Sequence, residues 1–151
     1  MPAVKQDVAV IPKDEQELIS WIDYVVPALE IISAPCDCAQ TLEDFLSNNC
    51  NYEAAVLGDI PVDPALVNWS LTGMRLEVNG VLRTSGVSAG VEGTALGTMK
   101  WLIQTLLREG KFIKAGDIVL TGSFIPAQEA KAGDYFRASY HKMKDVSVLF
   151  K

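Results

Sequence analysis

Four residues of this chain have the chemistry to bind a soft metal or act as nucleophiles: Cys36, Cys38, Cys50 and the single histidine, His141. Their spacing argues against both roles. Cys36 and Cys38 are too close for an easy disulfide, and one distant histidine does not complete a zinc ligand set. The reading is of reduced, semi-buried or loop thiols in a cytosolic compartment. A second group is charged. Alternate residues of a strand share a face, so a strand over residues 4–11 sets Lys5 and Asp7 side by side, with Val4, Gln6, Val8 and Val10 on the other face. Glu30 lies on another strand-like segment, 28–33, beside Ala28 and Ile32. Thr121 and Ser123 flank Gly122 at the end of the apolar run Ile118-Val119-Leu120. Residues 85–93 hold three glycines, which allow backbone to come close to a ligand.

The elements that must position these groups alternate between short strands and three helices. Asp14 and Glu17 have capping-box spacing for a helix with Leu18, Ile22 and Val25 as its stripe, stopped by Pro27. Thr41 and Asp44 cap a second, short helix carrying Leu42, Phe45 and Leu46. A third helix carries Leu96, Met99, Ile103, Leu106 and Leu107 at spacings of three and four, and Gly110 ends it. Residues 51–57 read as a strand. Met74, Leu76 and Val78 alternate with Arg75 and Glu77 ahead of Asn79-Gly80, the signal of a type I′ hairpin. Ala115-Gly116-Asp117 and Ala132-Gly133-Asp134 turn the chain into strands over 118–122 and 135–138, and 146–150 closes the sheet. Many short strands with three helices predict an α+β domain with a β-rich mixed sheet or β-roll. Trp21, Trp69 and Trp101 are expected in the core, and Lys100 in solvent.

Composition narrows the classes of function. An apolar content of 49% with 21% charged residues fits a soluble globular protein, expected as a single domain over 1–151. No apolar run approaches the ~18 residues of a membrane span, and no signal-peptide core follows Met1. The net charge of −6 argues against unaided binding to nucleic acid or acidic lipid. The expectation is a cytoplasmic protein that acts on a small molecule.

Trp101-Leu102, then 115–123 (Ala-Gly-Asp-Ile-Val-Leu-Thr-Gly-Ser), then Ala132-Gly133-Asp134, together with Val26-Pro27-Ala28-Leu29-Glu30-Ile31, resemble the 2-keto-4-pentenoate hydratases and 4-oxalocrotonate decarboxylases of the fumarylacetoacetate hydrolase superfamily. The matched segments resemble that family's C-terminal part, and the chain looks N-terminally shortened, as a natural short paralogue or a fragment. The resemblance implies the fold just described and a homo-oligomer. It also implies Mg²⁺ or Mn²⁺ held by three carboxylates, two of them a Glu-x-Glu pair on one strand, with the cation stabilising a 2-oxo acid enolate. Glu30 matches the third of these carboxylates. Lys5 falls where the first glutamate belongs and Asp7 where the second does, and an ammonium repels a cation. Other family residues also differ. The Ser-Arg-Ile stretch is here Ser33-Ala34-Pro35, the Asp-Asn-x-Ser is Asn48-Asn49-Cys50-Asn51, and the His-Pro ahead of the tryptophan helix is Thr94-Ala95.

Three readings follow. In the first, a lyase or isomerase derived from the 2-oxo acid hydratases works without metal, with Lys5, Asp7 and Glu30 catalytic and Asn49, Thr121 and Ser123 contacting substrate. Its step would be hydration or dehydration, cyclisation, isomerisation or decarboxylation, and Lys5 would stand in for the cation. In the second, the chain is a non-catalytic binding or partner subunit that keeps the scaffold. In the third, it is a residual Mg²⁺-dependent hydratase using Asp7 and Glu30 as ligands.

Overall fold

The structure is a computed structural model that describes residues 1–34, 39–90 and 94–151. Cys36, Cys38 and Gly93 lie outside the described residues. The elements run β1 (Pro2–Val4), α1 (Glu15–Trp21), β2 (Ile22–Val25), β3 (Ala28–Ile32), α2 (Leu42–Ser47), β4 (Tyr52–Leu57), β5 (Gly73–Val78), β6 (Val81–Val87), α3 (Thr94–Arg108), β7 (Tyr135–Tyr140) and β8 (Val146–Leu149). Every ladder is antiparallel. β1 pairs with β2, β3 with β4, and four strands form a sheet in the order β6-β5-β7-β8. This is the α+β fold that the pattern predicts.

The hairpin forms where Asn79-Gly80 places it. Both residues take positive φ, 54° and 78°, as a type I′ turn requires. On β5, Met74, Leu76 and Val78 face one way and pair with Tyr140, Ala138 and Phe136 of β7, giving the sheet an apolar inner face. The hairpin tip is also tied to a distant turn. Asn79 Nδ2 donates to Asp134 Oδ1 at 2.8 Å, and Asn79 Oδ1 accepts the Tyr135 N–H at 2.9 Å. The two Ala-Gly-Asp turns share one geometry. Gly116 and Gly133 have φ of 89° and 90°, and each following aspartate accepts the backbone N–H three residues earlier, at 2.8 and 2.9 Å.

α3 buries Leu96, Met99 and Ile103 in a second core with Val4, Val8, Leu18 and Trp21. It ends in a Schellman motif: the Gly110 N–H bonds Leu107 O at 3.1 Å and the Lys111 N–H bonds Leu106 O at 2.9 Å. Asp14 caps α1 by accepting the Glu17 N–H at 2.8 Å. The full capping box forms on α2 between Thr41 and Asp44.

Several expectations are corrected. α1 stops at Trp21, well before Pro27, because Ile22, Tyr24 and Val25 are branched or aromatic and pair with β1 as a strand. The strand expected over 4–11 ends at Val4. The chain then bends and touches its neighbour once more, in a single bridge from Val8 to Ile113. The edge it meets supplies a turn and not a strand, with the Val4 N–H on Asp117 O at 3.1 Å and the Gly116 N–H on Val4 O at 2.8 Å. Residues 118–122 likewise form no regular ladder; Ile118 bridges Ala3, and the Val119 N–H bonds Pro2 O at 3.0 Å. Trp101 is 61% exposed and outside the core. Leu42, Phe45 and Leu46 of α2 are exposed as well. No helix among the described residues is long and apolar enough to cross a membrane.

Two of these turns carry a pH dependence. The Asp44 carboxyl is held below its ordinary value by the Thr41 N–H and then the Thr41 hydroxyl, and Asp134 by the Asn79 amide and then the Lys131 N–H. A carboxylate depressed in the fold stabilises it above the unfolded value of 3.8 and loses that contribution as pH falls below it. Thermal midpoints measured from pH 5 down to pH 3 are expected to fall. Asn79→Ala should remove the part of the fall that belongs to Asp134; an unchanged slope would show that the Asn79 bond does not matter to it.

Candidate functional site: a cavity between the sheets

The inner face of the four-stranded sheet and the β3–β4 ribbon leave between them a cavity of about 1080 Å³. This is slightly above the ~300–1,000 Å³ usual for small-molecule sites. Met74, Leu76, Phe136 and Tyr140 line it from the sheet, Trp69 from the preceding segment, and the stretch 120–130 completes it. Trp69 is held by its indole N–H on Pro64 O at 3.2 Å.

Glu30 comes from β3. Its register partner on β4 is Ala55, and Glu53 stands two residues from Ala55, so the ribbon brings both carboxylates to the cavity. Glu129 adds a third from the 120–130 stretch. No Lys, Arg or His side chain lines the cavity among the described residues. The α-amino group of Met1, also in the lining, is pushed down to about 6 by burial.

Thr121 and Ser123 line the cavity as well. The Ser123 hydroxyl donates to Ile125 O at 2.8 Å and accepts the Ile125 N–H at 3.2 Å, which shapes its own loop. That loop leans on Gly86. A Cβ built there would stand 2.4 Å from Phe124 O and 2.9 Å from Phe124 Cβ. Because the nearest contact is backbone, Gly86→Ala is expected to displace 120–125. The loss should be about 1–3 kcal/mol, the usual range for overpacking, read as a lowered denaturation midpoint. Unchanged stability would mean that the loop is free to shift.

The structure does not bring Lys5 and Asp7 into the lining with Glu30. The chain leaves the cavity after Pro2, the Lys5 N–H bonds Trp21 O at 2.9 Å, and Asp7 Oδ1 accepts the Ala115 N–H at 2.9 Å. Asn49 is also outside it. The turn there places Asn51 in the lining instead, as the last of three consecutive residues at positive φ, with its amide paired to Gln40 at 2.7 Å. Cys50, in the same turn, is exposed.

The sequence reading missed Glu53 and Tyr140, and Trp69, expected in the core, packs against it and also lines the cavity. Tyr140 sits two strand positions beyond Ala138 on the same face, a signal for an inward aromatic. Its phenol donates to Ala28 O at 2.9 Å, tying β7 to the strand that carries Glu30. Phe124 packs edge-on against its ring at 6.3 Å.

Comparison with known proteins places this arrangement. No family model matches the chain. Over 137 residues, 90% of the chain, it is 35% identical to 2-keto-4-pentenoate hydratase of Paraburkholderia xenovorans (strain LB400). Over 135 residues, 85% of the chain, it is 32% identical to 2-oxo-hept-4-ene-1,7-dioate hydratase of Escherichia coli. Over nine tenths of its length the chain is thus similar to 2-keto-4-pentenoate hydratase. It spans about half the length of these curated relatives, 51% of each. The fold agrees. 4-Oxalocrotonate decarboxylase from Pseudomonas putida G7, complexed with magnesium and adipate, superposes with a TM-score of 0.90 at 24% identity, over 99% of this chain and 57% of the other.

That hydratase–decarboxylase structure holds magnesium, so the donors of this chain can be tested for the same ion. Mg²⁺ demands near-octahedral oxygen coordination, usually with protein carboxylates among the ligands. Among the described residues no group of three or more His, Cys, Asp or Glu side chains is placed to hold a metal. The resemblance sets Lys5 against the first glutamate, and in the structure an Asp7 oxygen accepts the Ala115 N–H. Among the described residues the donors do not assemble a site that fits the ion.

Proposed function

We propose that the chain catalyses a lyase- or isomerase-type step on a small, enolisable carbonyl compound, with Glu30 as the acid–base group and no divalent cation. The observation that carries this reading is a carboxylate, Glu30, in the wall of a large and mostly apolar cavity. Glu30 takes a proton from the carbon next to the substrate carbonyl. The C–H electron pair becomes the C=C bond of an enolate, whose oxygen accepts a hydrogen bond from the Thr121 hydroxyl. Returning the proton to a different carbon isomerises the compound; giving it to a departing β-hydroxyl, while the enolate reforms the carbonyl and its electron pair makes the C=C bond, releases water and dehydrates it. Similarity to hydratases supports this class of step. Lys5, Asp7 and Asn49 have no part in it.

The test is deuterium exchange into 4-phenylbutan-2-one and into 2-keto-4-pentenoate in D₂O, followed by NMR with EDTA present. Exchange above buffer that survives EDTA supports the proposal. Exchange that appears only on adding Mg²⁺ overturns it in favour of a metal-dependent hydratase. No exchange with either compound overturns it in favour of a binding protein.

A further inference from the structure

The charged side chains that line the cavity, among the described residues, have one sign. Glu30, Glu53 and Glu129 are its charged side chains, and none of its described residues is a Lys, Arg or His. The seven remaining positions, 35–38 and 91–93, contain no basic residue by sequence. A carboxylate entering such a space gives up its hydration without a counter-charge and meets fixed anions. The three glutamates instead offer acceptors to hydroxyl or amide N–H groups. The remaining wall is large and apolar, with Trp69, Met74, Leu76, Phe124 and Phe136 exposing carbon to the ligand.

We infer that the cavity takes an uncharged, largely apolar, drug-sized molecule bearing hydrogen-bond donors, and discriminates against anionic 2-oxo acids. This names the substrate class of the site proposed above and rests on that reading. It also fits a lining whose described residues include no basic side chain: a ligand without a carboxylate needs no cation to hold it.

The test uses two probes that share an anilinonaphthalene frame and differ by one sulfonate. N-phenyl-1-naphthylamine is neutral and 8-anilinonaphthalene-1-sulfonate is an anion. Fluorescence titration of the whole chain at fixed ionic strength is expected to show saturable binding of the neutral probe at least tenfold tighter than of the sulfonate. In the triple variant Glu30→Gln, Glu53→Gln, Glu129→Gln the gap should shrink below threefold; all three residues are exposed, and the melting curve checks that the fold survives. Equal binding of the probes, no saturable binding of the neutral one, or a gap unchanged in the triple variant overturns the inference. The two readings fail separately. Preference for the neutral probe without deuterium exchange removes only the activity. Exchange into 2-keto-4-pentenoate, with that acid displacing the neutral probe at lower concentration than the ketone does, removes only the substrate class.

Discussion

Glu30→Gln is expected to lower the rate of deuterium exchange into the ketone by about 10²–10⁴-fold, the usual contribution of a positioned acid–base group. The amide keeps the size and the hydrogen-bonding reach of the side chain but cannot take a proton from carbon. Glu30 is exposed on β3, so the fold should lose less than about 0.5 kcal/mol, as for ordinary surface substitutions. Rate and melting temperature measured on the same sample separate chemistry from folding. A variant that retains its rate within threefold would remove Glu30 from the mechanism. The neighbouring carboxylate, Glu53, provides a control. If Glu53→Gln alone abolishes exchange while Glu30→Gln does not, the base has been assigned to the wrong strand of the ribbon.

Alkaline pH is expected to loosen the cavity through Tyr140. Burial pushes its phenol from 10.0 up to about 12. A group whose ionisation is raised in the fold stabilises that fold fully below the unfolded value and loses the contribution as pH climbs to the folded one. Here the window runs from 10 to 12, and at ~1.4 kcal/mol per pH unit the loss approaches ~3 kcal/mol. The ionised oxygen would also face the Ala28 carbonyl it now donates to, which strains the tie between β7 and the Glu30 strand. Urea midpoints at pH 9, 10.5 and 12 measure the effect. Tyr140→Phe should flatten the decline in that interval while lowering stability at pH 9 by about 0.5–1.5 kcal/mol for the missing hydrogen bond. A Phe variant as alkali-sensitive as the wild type would exclude Tyr140 as the cause.

What the sequence conveyed followed the range of the interactions. Caps and tight turns are local chemistry: Asp14 with Glu17, Thr41 with Asp44, Asn79-Gly80 and Gly110 all formed where their spacing placed them. The apolar stripe of α3 was equally legible, since Leu96, Met99 and Ile103 share a helix face. The β1 region was misread because alternation over 4–11 looks the same whether or not a partner strand exists. β2 pairs only with residues 2–4, and on the other edge the chain meets a turn, so the ladder stops at Val4. The same limit applied to the site. Thr121 and Ser123 sat beside an informative motif, but Glu53 joins Glu30 only through the β3–β4 register, and Tyr140 reaches Ala28 across 112 residues. The grouping of Lys5 with Glu30 presumed that a matched motif keeps its strand geometry, and β1 does not extend that far.

The ties at Asn79 bear on the order in which this chain folds. A two-residue turn closes the β5–β6 hairpin at small entropic cost. The Asn79 amide bonds to Asp134 and Tyr135 close loops 55 and 56 positions long, and the cost of closure grows with the logarithm of loop length. The hairpin is therefore a candidate for early structure, and its tip waits for β7 to arrive. The cavity, whose sheet wall is made by β5 and β7 together, takes shape only after that late pairing.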